Sequence, residues 1–317
     1  MIKLVDRFIL KNDIISLTIV PEIGDIIKSI KYLPENFEYL YNHYRPLKKY
    51  YEIAGGSYNE DLLNSMFSGG YFDAVPNAGY KCSVNNTTFG LHDETPYIPW
   101  DVKEHHEEYI STFTYLYKYP LKIEKDIELK HNKILIKESI ENISGEKLPY
   151  SWLHHPTFGS NLLSGETIIN ISDSNIISDS SLGNLNARFK RGYEGKWPFV
   201  LDNNGSKVDI SKFPDKGKYN TNDLLYLTEV KKPEFSIENN KRKIIFRYDN
   251  NLFKCLWLWL PTGGGPGYPW FGTIYAMAIE MSTSFPASGL YGQINNKTAN
   301  YIEPYDKIST LIEIEIL

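Results

Sequence analysis

The chain has 317 residues, of which 42% are hydrophobic and 23% charged, a composition typical of a protein that folds in water. Its net charge of -5, without a segment rich in lysine or arginine, argues against nucleic acid or an anionic membrane as a partner. The two cysteines, Cys82 and Cys255, form neither a disulfide framework nor a metal-ligand spacing. Since neither a signal-peptide core nor a membrane-spanning segment is recognisable, we expect a cytoplasmic location.

Short segments with alternating or β-branched residues recur along the chain and predict β-strands. They cover residues 14–21, 26–33, 109–119, 121–131, 133–144, 166–174, 243–249, 252–261, 275–283 and 310–317. Turn residues at 130–133, 142–145 and 239–240 predict antiparallel hairpins. Helical periodicity is scarce, and its best candidate is a turn or two between residues 59 and 67. Without a fixed-period repeat or a dividing linker, the sequence predicts one all-β domain over residues 1–317, a large antiparallel β-sandwich.

The segment 69–100 is rich in residues that bend the backbone or bind hydroxyl groups. Its most prominent polar residues are Asn77, His92, Asp93 and Glu94. A metal site could combine His92 and Asp93 with a later histidine, His154 or His155, since imidazole and carboxylate suit zinc or manganese. The spacing of these residues matches no short metal signature, so we predict no metal site.

Two adjacent histidines lie in the segment 149–159. Alternation along a strand places Ser151, Leu153 and His155 on one face of the sheet. His154 belongs to the other face, so the two histidines cannot share one role. A histidine near the end of a strand can exchange a proton with a ligand near neutral pH. The alternative for each histidine is a hydrogen-bonded place in the core.

An ionisable residue, Glu280, interrupts the apolar strand at 275–283. Alternation puts the small residues Ala276 and Ala278 on the face of Glu280, which leaves room there for a ligand. The opposite face carries the larger side chains of Tyr275, Met277, Ile279 and Met281. Apolar surroundings raise the affinity of a carboxylate for a proton, which suits a general base. The alternative is a structural carboxylate that is hydrogen-bonded to a neighbouring strand or loop.

Six motifs follow one another along the chain: "VPEIGDIIKSI", "VPNAGY", "GLHDETPYIPW", "LHHPTFG", "GYPWFG" and "AIEMSTSFP". Each is weak alone, but in this order they resemble the aldose 1-epimerases, or galactose mutarotase-like proteins. The resemblance spans nearly the whole chain. It implies a large antiparallel β-sandwich with an open cleft across one sheet, and it implies that no cofactor is needed.

The resemblance also implies roles for individual residues. His155, together with Phe158, matches the family's His-x-x-Phe pattern and would act as a general acid on the ring oxygen of a sugar. Glu280 would act as a general base on the anomeric hydroxyl, and His92 would help to hold or polarise the ring oxygen. Four further residues are expected to bind the sugar through hydroxyl contacts or aromatic stacking: Asn77, Asp93, Tyr268 and Trp270.

The chain also departs from the family pattern. Well-characterised members carry an arginine after the asparagine of the Pro-Asn loop, whereas here Ala78 follows Asn77. Asp25 stands where a glycine is common, which predicts a variation of the turn. The family's sugar-binding aspartate cannot be placed among the loop residues Asp202, Asp209 and Asp215.

These observations predict an aldose 1-epimerase-like isomerase that interconverts the anomers of a small sugar, as a monomer or a homodimer. The alternative is a non-catalytic carbohydrate-binding protein on the same fold, although a pure binder needs neither a general acid nor a general base. A glycoside hydrolase or lyase would need two facing carboxylates about 5–9.5 Å apart, and the sequence offers one compelling acid. The missing arginine predicts a preference for a sugar other than galactose.

Overall fold

The computed structural model of the protein describes residues 5–43, 47, 67–180, 186–240, 242–265 and 267–317. Its regular structure is nearly all β. In chain order, the strands are β1 (Phe8–Lys11), β2 (Ile15–Val20), β3 (Ile26–Tyr32), β4 (Phe37–Glu38), β5 (Gly70–Ala74), β6 (Cys82–Val84), β7 (Thr87–Phe89), β8 (Asp101–His105), β9 (Tyr109–Tyr115), β10 (Leu121–Lys130), β11 (Lys133–Asn142), β12 (Leu148–Tyr150), β13 (Leu153–Phe158), β14 (Ile168–Ile171), β15 (Asn175–Ser178), β16 (Glu194–Lys196), β17 (Phe199–Leu201), β18 (Lys207–Asp209), β19 (Asn222–Thr228), β20 (Glu234–Glu238), β21 (Lys243–Arg247), β22 (Cys255–Pro261), β23 (Met277–Ser282), β24 (Asn300–Ile302) and β25 (Lys307–Ile316).

Helical structure in the described part of the chain is limited to a 3-10 turn at Leu33–Glu35 and one short α-helix, α1 (Gly289–Asn295). The predicted helical turn at residues 59–67 lies, except for Phe67, outside the described residues. Among the described residues, no helix has the length and apolar character that a membrane crossing requires.

The strands of the described residues form two large antiparallel sheets. Eleven strands make the larger sheet in the order β1-β2-β3-β5-β13-β23-β22-β19-β15-β16, with β4 attached to β3. Eight strands make the smaller sheet in the order β14-β20-β21-β25-β11-β10-β9-β8. Three two-stranded pairs, β12–β24, β17–β18 and β6–β7, complete the strand structure of these residues.

The core lies between the two large sheets because alternating side chains of both point inward. In β10 of the smaller sheet, Leu121 and Ile123 are fully buried, whereas Lys122 between them is only partly buried. These inward residues share one hydrophobic core with Met277 and Ile279 of the larger sheet. The predicted all-β antiparallel sandwich is therefore confirmed.

The central strands of the larger sheet differ from β10 because they are covered on both faces. Every residue of β13 and of β23 is buried. One face of each strand packs into the core between the sheets. The opposite face, which we call the outer face, is covered by aromatic side chains and loops, and it carries the candidate site.

Candidate active site

The centre of the larger sheet brings His155 and Glu280 together. Strands β13 and β23 are antiparallel neighbours whose register pairs His154 with Met281, so the next residue, His155, lies opposite Glu280. Both side chains project from the outer face, and His155 Nε2 lies 3.4 Å from Glu280 Oε1. Their exposed fractions are 5% and 2%. The two groups therefore form a contacting acid/base pair that is shielded from bulk water.

From the sequence we expect His155 and Glu280 to bracket a sugar ring, but in the structure the two side chains lie side by side without a ring-sized gap between them. This difference does not prevent contact with both reacting oxygens of a sugar. O1 and O5 of a cyclic aldose are bonded to the same carbon, so they lie closer together than the two side chains do. A sugar placed over the pair can present both oxygens from one side.

Aromatic residues flank the pair on the adjacent strands. Phe72 of β5 lies opposite His155 and stacks on its imidazole, with ring centroids 4.6 Å apart and planes inclined by 18°. Trp257 of β22 lies opposite Glu280 on the other side. A single cross-strand row of Phe72, His155, Glu280 and Trp257 therefore spans four neighbouring strands, with ionisable groups in the middle and apolar rings at each end.

Two more aromatic rings border His155, and a third packs on both of them. The rings of Trp259 and Phe67 lie 5.8 Å and 6.3 Å from its imidazole. Trp270 packs on Phe67 at 5.2 Å and on Trp259 at 5.8 Å. Tyr268, by contrast, is 52% exposed on the protein surface. We call the five rings around the pair the aromatic wall: Phe67, Phe72, Trp257, Trp259 and Trp270.

Strand β23 separates its two faces as the sequence predicts. Met277, Ile279 and Met281 belong to the core between the sheets. Ala276 lies on the outer face among the rings of the aromatic wall. Ala276 and Ala278 are both fully buried, so the residues beside Glu280 on this face are small and covered.

Burial decides the protonation of the pair. Burial raises the pKa of Glu280 well above its ordinary value. Burial, followed by the neighbouring His92, lowers the pKa of His155 well below its ordinary value. Both shifts disfavour charge, so the unliganded pair holds its one shared proton on Glu280 rather than on His155. The roles expected from the sequence, a general acid at His155 and a general base at Glu280, require the opposite placement of this proton. Glu280 Oε2 has no hydrogen-bond partner among the described residues and is available to a ligand.

His92 is a neutral hydrogen-bond donor next to the pair. Its ring lies 5.7 Å from that of His155. Its Nδ1 accepts a hydrogen bond from the backbone N–H of Gly79 at 3.2 Å, so the ring proton resides on Nε2. Burial lowers the pKa of His92 to about 4, so the ring stays uncharged at neutral pH. The Nε2–H group of His92 can therefore polarise a ligand oxygen while the ring stays uncharged.

The Pro-Asn loop holds His92 in place and does not offer its asparagine to a ligand. Asn77 is fully buried, and its amide nitrogen donates to the backbone oxygens of Tyr80 and Gly90 at 3.1 Å and 2.7 Å. Its amide oxygen accepts from the backbone N–H of Leu290 at 2.7 Å. The polar atoms of Asn77 are therefore already used to fix the loop, and its contact with a substrate stays a prediction.

Gly79 is required at the loop position that supports His92. Its φ of +104° lies in a region that L side chains rarely adopt. A Cβ at this position would also lie 2.3 Å from the backbone oxygen of Ala287. The glycine therefore allows a close backbone approach and presents its N–H to the His92 ring.

Asp93 is a structural residue as well. It is fully buried, forms an ion pair with Lys118, and accepts a hydrogen bond from the backbone N–H of Gly90 at 2.9 Å. The adjacent Glu94 accepts hydrogen bonds from the backbone N–H groups of Tyr117 and Lys118. The carboxylate of Asp93 is therefore directed at Lys118 and at its own loop, and its contact with a sugar stays a prediction.

His154 points to the opposite face of β13 from His155. Its Nδ1 lies 2.6 Å from Asp73 Oδ1 in the space between the two sheets. His154 therefore cannot join His92 in the metal site considered from the sequence, because the two histidines lie on different sides of the sheet.

A group of buried charges surrounds His154 between the sheets. We call it the interior cluster: Asp25, Asp73, Lys125, Glu138 and His154. The prediction for Asp25 was incomplete: its φ of +51° fits a turn, but its buried side chain accepts a hydrogen bond from Thr112 and lies 3.4 Å from Lys125 Nζ. Within the described residues, Asp73, Glu138 and His154 could offer metal-ligand atoms lying within 4.8 Å of one another.

The three loop aspartates serve local structure. Asp202 and Asp209 accept hydrogen bonds from nearby backbone N–H groups of their own turns. Asp215 accepts a hydrogen bond from the backbone N–H of Gly165 at 2.7 Å. These contacts give none of the three a place beside His155 and Glu280.

Four members of the aromatic wall were not predicted from the sequence: Phe67, Phe72, Trp257 and Trp259. A signal for the tryptophans was present, because residues two apart in a strand share a face and "CLWLWLP" therefore puts both on one side. Phe72 carries no comparable signal, since its position depends on the pairing of β5 with β13.

Comparisons with known proteins support the fold. No family model matches the sequence, and no curated protein matches it. Among solved structures, the Slr1438 protein of Synechocystis sp. PCC 6803 is similar with a TM-score of 0.70 and 14% identity, covering 99% of this chain and 96% of that one. A galactose mutarotase related enzyme of Lactobacillus acidophilus has a TM-score of 0.67 and 15% identity, with coverage of 98% and 97%. A galactose mutarotase-like protein of Lactobacillus casei has a TM-score of 0.61 and 14% identity, with coverage of 98% and 100%. The chain therefore has the galactose mutarotase-like fold, and the resemblance seen in its motifs is confirmed at that level.

Proposed function

We propose that the protein interconverts the α and β anomers of an aldose by opening and reclosing the sugar ring. The observation that carries the proposal is the contact between His155 and Glu280 on the outer face of the sheet. A carbohydrate-binding protein has no need of a buried acid that contacts a histidine and keeps one oxygen without a hydrogen-bond partner, because burial of an unpaired polar atom is unfavourable. Ring opening, in contrast, requires one proton acceptor and one proton donor close together.

The proposed reaction uses the single proton of the pair. As the sugar binds, this proton moves from Glu280 to His155 across their 3.4 Å contact. Glu280 then takes the proton of the O1 hydroxyl while His155 gives a proton to O5. The C1–O5 bond breaks, a C1=O1 double bond forms, and the open chain rotates about the C1–C2 bond. Reclosure from the opposite face of the carbonyl reverses both proton transfers and restores the pair.

Two features of the surroundings support this reaction. The Nε2–H group of His92 can donate a hydrogen bond to O5 and polarise it as the ring opens. The aromatic wall can stack on the apolar face of a sugar and exclude water from the pair. Free aldoses already interconvert slowly in water, so positioning and proton transfer suffice to accelerate the reaction.

The proposed substrate differs from galactose in how it is held. Ala78 is fully buried and occupies the position where an arginine is found in well-characterised family members. An arginine fork directs two hydrogen bonds to a ligand, and alanine directs none. The sugar is therefore oriented mainly by stacking on the aromatic wall. This favours a sugar that needs fewer directed hydrogen bonds than galactose does.

An exchange experiment tests the proposed function. Anomer exchange would be measured by NMR for a panel of aldoses, uronates and sugar phosphates with equal enzyme concentrations. We expect acceleration for at least one sugar, and a lower kcat/KM for galactose than for the best substrate. Sugar binding without acceleration of exchange would replace the proposal by non-catalytic recognition. Galactose as the best substrate, with kcat/KM above about 10⁴ M⁻¹s⁻¹, would contradict the inference from Ala78.

A further inference from the structure

The inner face of β13 carries a second polar network directly behind His155. His154 and Asp73 lie opposite each other in the register of β13 and β5. His154 Nδ1 is 2.6 Å from Asp73 Oδ1 and 3.0 Å from the hydroxyl of Tyr71. The imidazole also packs between the rings of Trp152 and Phe253, at 5.7 Å and 5.1 Å. The orientation of the His154 ring is thus fixed by hydrogen bonds and by packing.

Asp73 connects this network to the opposite sheet. Its Oδ2 forms an ion pair with Lys125 Nζ, and Lys125 extends from β10 of the smaller sheet. Lys125 Nζ also lies 3.4 Å from Asp25 and 3.9 Å from Glu138, and 4.5 Å from the ring centre of Trp100. The interior cluster therefore links the strands that carry the candidate site to the strands of the facing sheet.

Lys125 also argues against a metal ion in this cluster. Asp73, Glu138 and His154 have ligand-type atoms close together, but the ammonium group of Lys125 already contacts Asp73 and lies near Glu138. A divalent cation bound by the three residues would have to displace that ammonium group or lie against it. Repulsion between the two positive charges makes the site unsuitable for a metal.

The charge state of the cluster follows from the balance between burial and pairing. Burial alone would raise the pKa of Asp73, but the charges of Lys125 and His154 outweigh burial and lower this pKa to about 2. Asp73 is therefore an anion that accepts hydrogen bonds firmly. Burial raises the pKa of Asp25 to about 6 and that of Glu138 well above its ordinary value.

Buried ion pairs contribute little net stability compared with apolar residues of similar volume, but they impose a defined geometry. The geometry imposed here is that of the 154–155 segment of β13. On the inner face, His154 is hydrogen-bonded to Asp73. On the outer face, His155 Nδ1 lies 3.1 Å from the hydroxyl of Thr157. Any rotation of this short segment that moves His154 would also move His155 relative to Glu280.

We propose that His154 is a positioning residue for His155, acting through its hydrogen bond to the Asp73 anion. The inference rests on the proposed function for its effect on catalysis, but its structural part can be tested without a substrate. Loss of the Nδ1–H donor frees the 154–155 segment and displaces His155 from its contact with Glu280.

Three substitutions of His154 test the proposal. In His154→Asn, the side-chain amide nitrogen is attached at the same place as Nδ1 and can still donate to Asp73. In His154→Gln, the amide nitrogen lies one bond farther out, near the position of Nε2, and does not reach Asp73 in the same way. His154→Phe keeps the ring between Trp152 and Phe253 but removes both nitrogens. A matched control for lost core packing is Phe235→Leu in the smaller sheet, where Phe235 is fully buried.

Two measurements separate positioning from simple stability. The first is kcat and KM for anomer exchange, and we expect kcat to fall by up to about 10²-fold in His154→Gln and His154→Phe, since a misplacement of about 1 Å can have that effect. The second is the ¹⁵N chemical shift of the His155 imidazole and its pH titration, which we expect to change in the same two variants. His154→Asn and Phe235→Leu should keep both properties close to those of the wild type.

These measurements separate failure of the positioning inference from failure of the proposed function. If the wild type accelerates no sugar exchange but the His155 signals change in His154→Gln and not in His154→Asn, the proposed function fails and the positioning inference stands. If His154→Gln folds and keeps wild-type His155 signals and kcat, the positioning inference is overturned. If His154→Phe does not fold, the comparison of the Asn and Gln variants still decides.

Discussion

The two faces of β13 hold neighbouring histidines in opposite environments. On the outer face, His155 contacts a single acid, Glu280, among aromatic rings, and burial favours the uncharged form of both. On the inner face, His154 contacts Asp73, whose anionic form is stabilised by Lys125. Burial alone therefore does not define a reactive group. The inner Asp73 is paired with the ammonium group of Lys125, whereas no positive charge among the described residues offsets the burial of Glu280.

The largest expected effect is that of removing the outer acid. Glu280→Gln keeps the shape of the side chain but cannot accept a proton, so we expect anomer exchange to slow by ~10²–10⁴-fold while sugar binding remains. The measurement is kcat by NMR exchange together with a binding titration. The matched control is Glu303→Gln, since the side chain of Glu303 is exposed and forms an ion pair with the surface residue Lys147. Exchange near the wild-type rate in Glu280→Gln would remove Glu280 from the reaction.

The pH dependence of kcat/KM should report the shared proton of the pair. The pair is active with one proton and inactive with two or none, so the profile should be bell-shaped. Because the pKa of His155 is lowered, the loss of activity on the acid side should begin below pH 6.5, the ordinary value for histidine. Because the pKa of Glu280 is raised, the alkaline loss should lie well above pH 4.5. A loss of kcat/KM on the acid side that begins above pH 6.5 would contradict the lowered pKa of His155.

A smaller effect is expected at His92, which assists the pair without exchanging a proton. His92→Ala removes the Nε2–H donor, and we expect kcat to fall by about tenfold, equivalent to ~1.4 kcal/mol in the barrier. His92→Gln can place an amide N–H near the position of Nε2 and should recover part of that loss. Equal activity of the Ala and Gln variants would show that the donor is not used.

The smallest expected effect is that of a chelator. The proposed reaction needs only proton transfer between side chains, so a strong chelator should leave the exchange rate unchanged. The rate would be compared before and after exhaustive dialysis against the chelator. A loss of activity that zinc or manganese restores would reopen the metal-site hypothesis and would direct attention to Asp73, Glu138 and His154.

The fold and the central pair could be predicted because strand alternation is visible in sequence. The apolar period of two gave most of the strands and placed His154 and His155 on different faces of β13. The same rule separated Glu280 from Met281 on β23. The ordered motifs then supported the pairing of residues that lie far apart along the chain.

The loop residues could not be predicted in the same way. Asn77 and Asp93 are polar residues near the site, but the direction of a loop side chain depends on contacts with distant segments such as Leu290 and Lys118. The interior cluster was missed for a similar reason. Asp25 and its partner Lys125 come from opposite sheets, and only the packing of the two sheets reveals their contact.

The most direct test of the account is a double-variant comparison on the best sugar found. Glu280→Gln, His155→Ala and the combination of both would be compared with the wild type in kcat for anomer exchange. Because a contacting acid/base pair acts as a unit, each single variant should lose most of the rate, and the double variant should be little slower than either one. A double variant whose loss equals the product of the two single losses would contradict the claim that His155 and Glu280 work together on one proton.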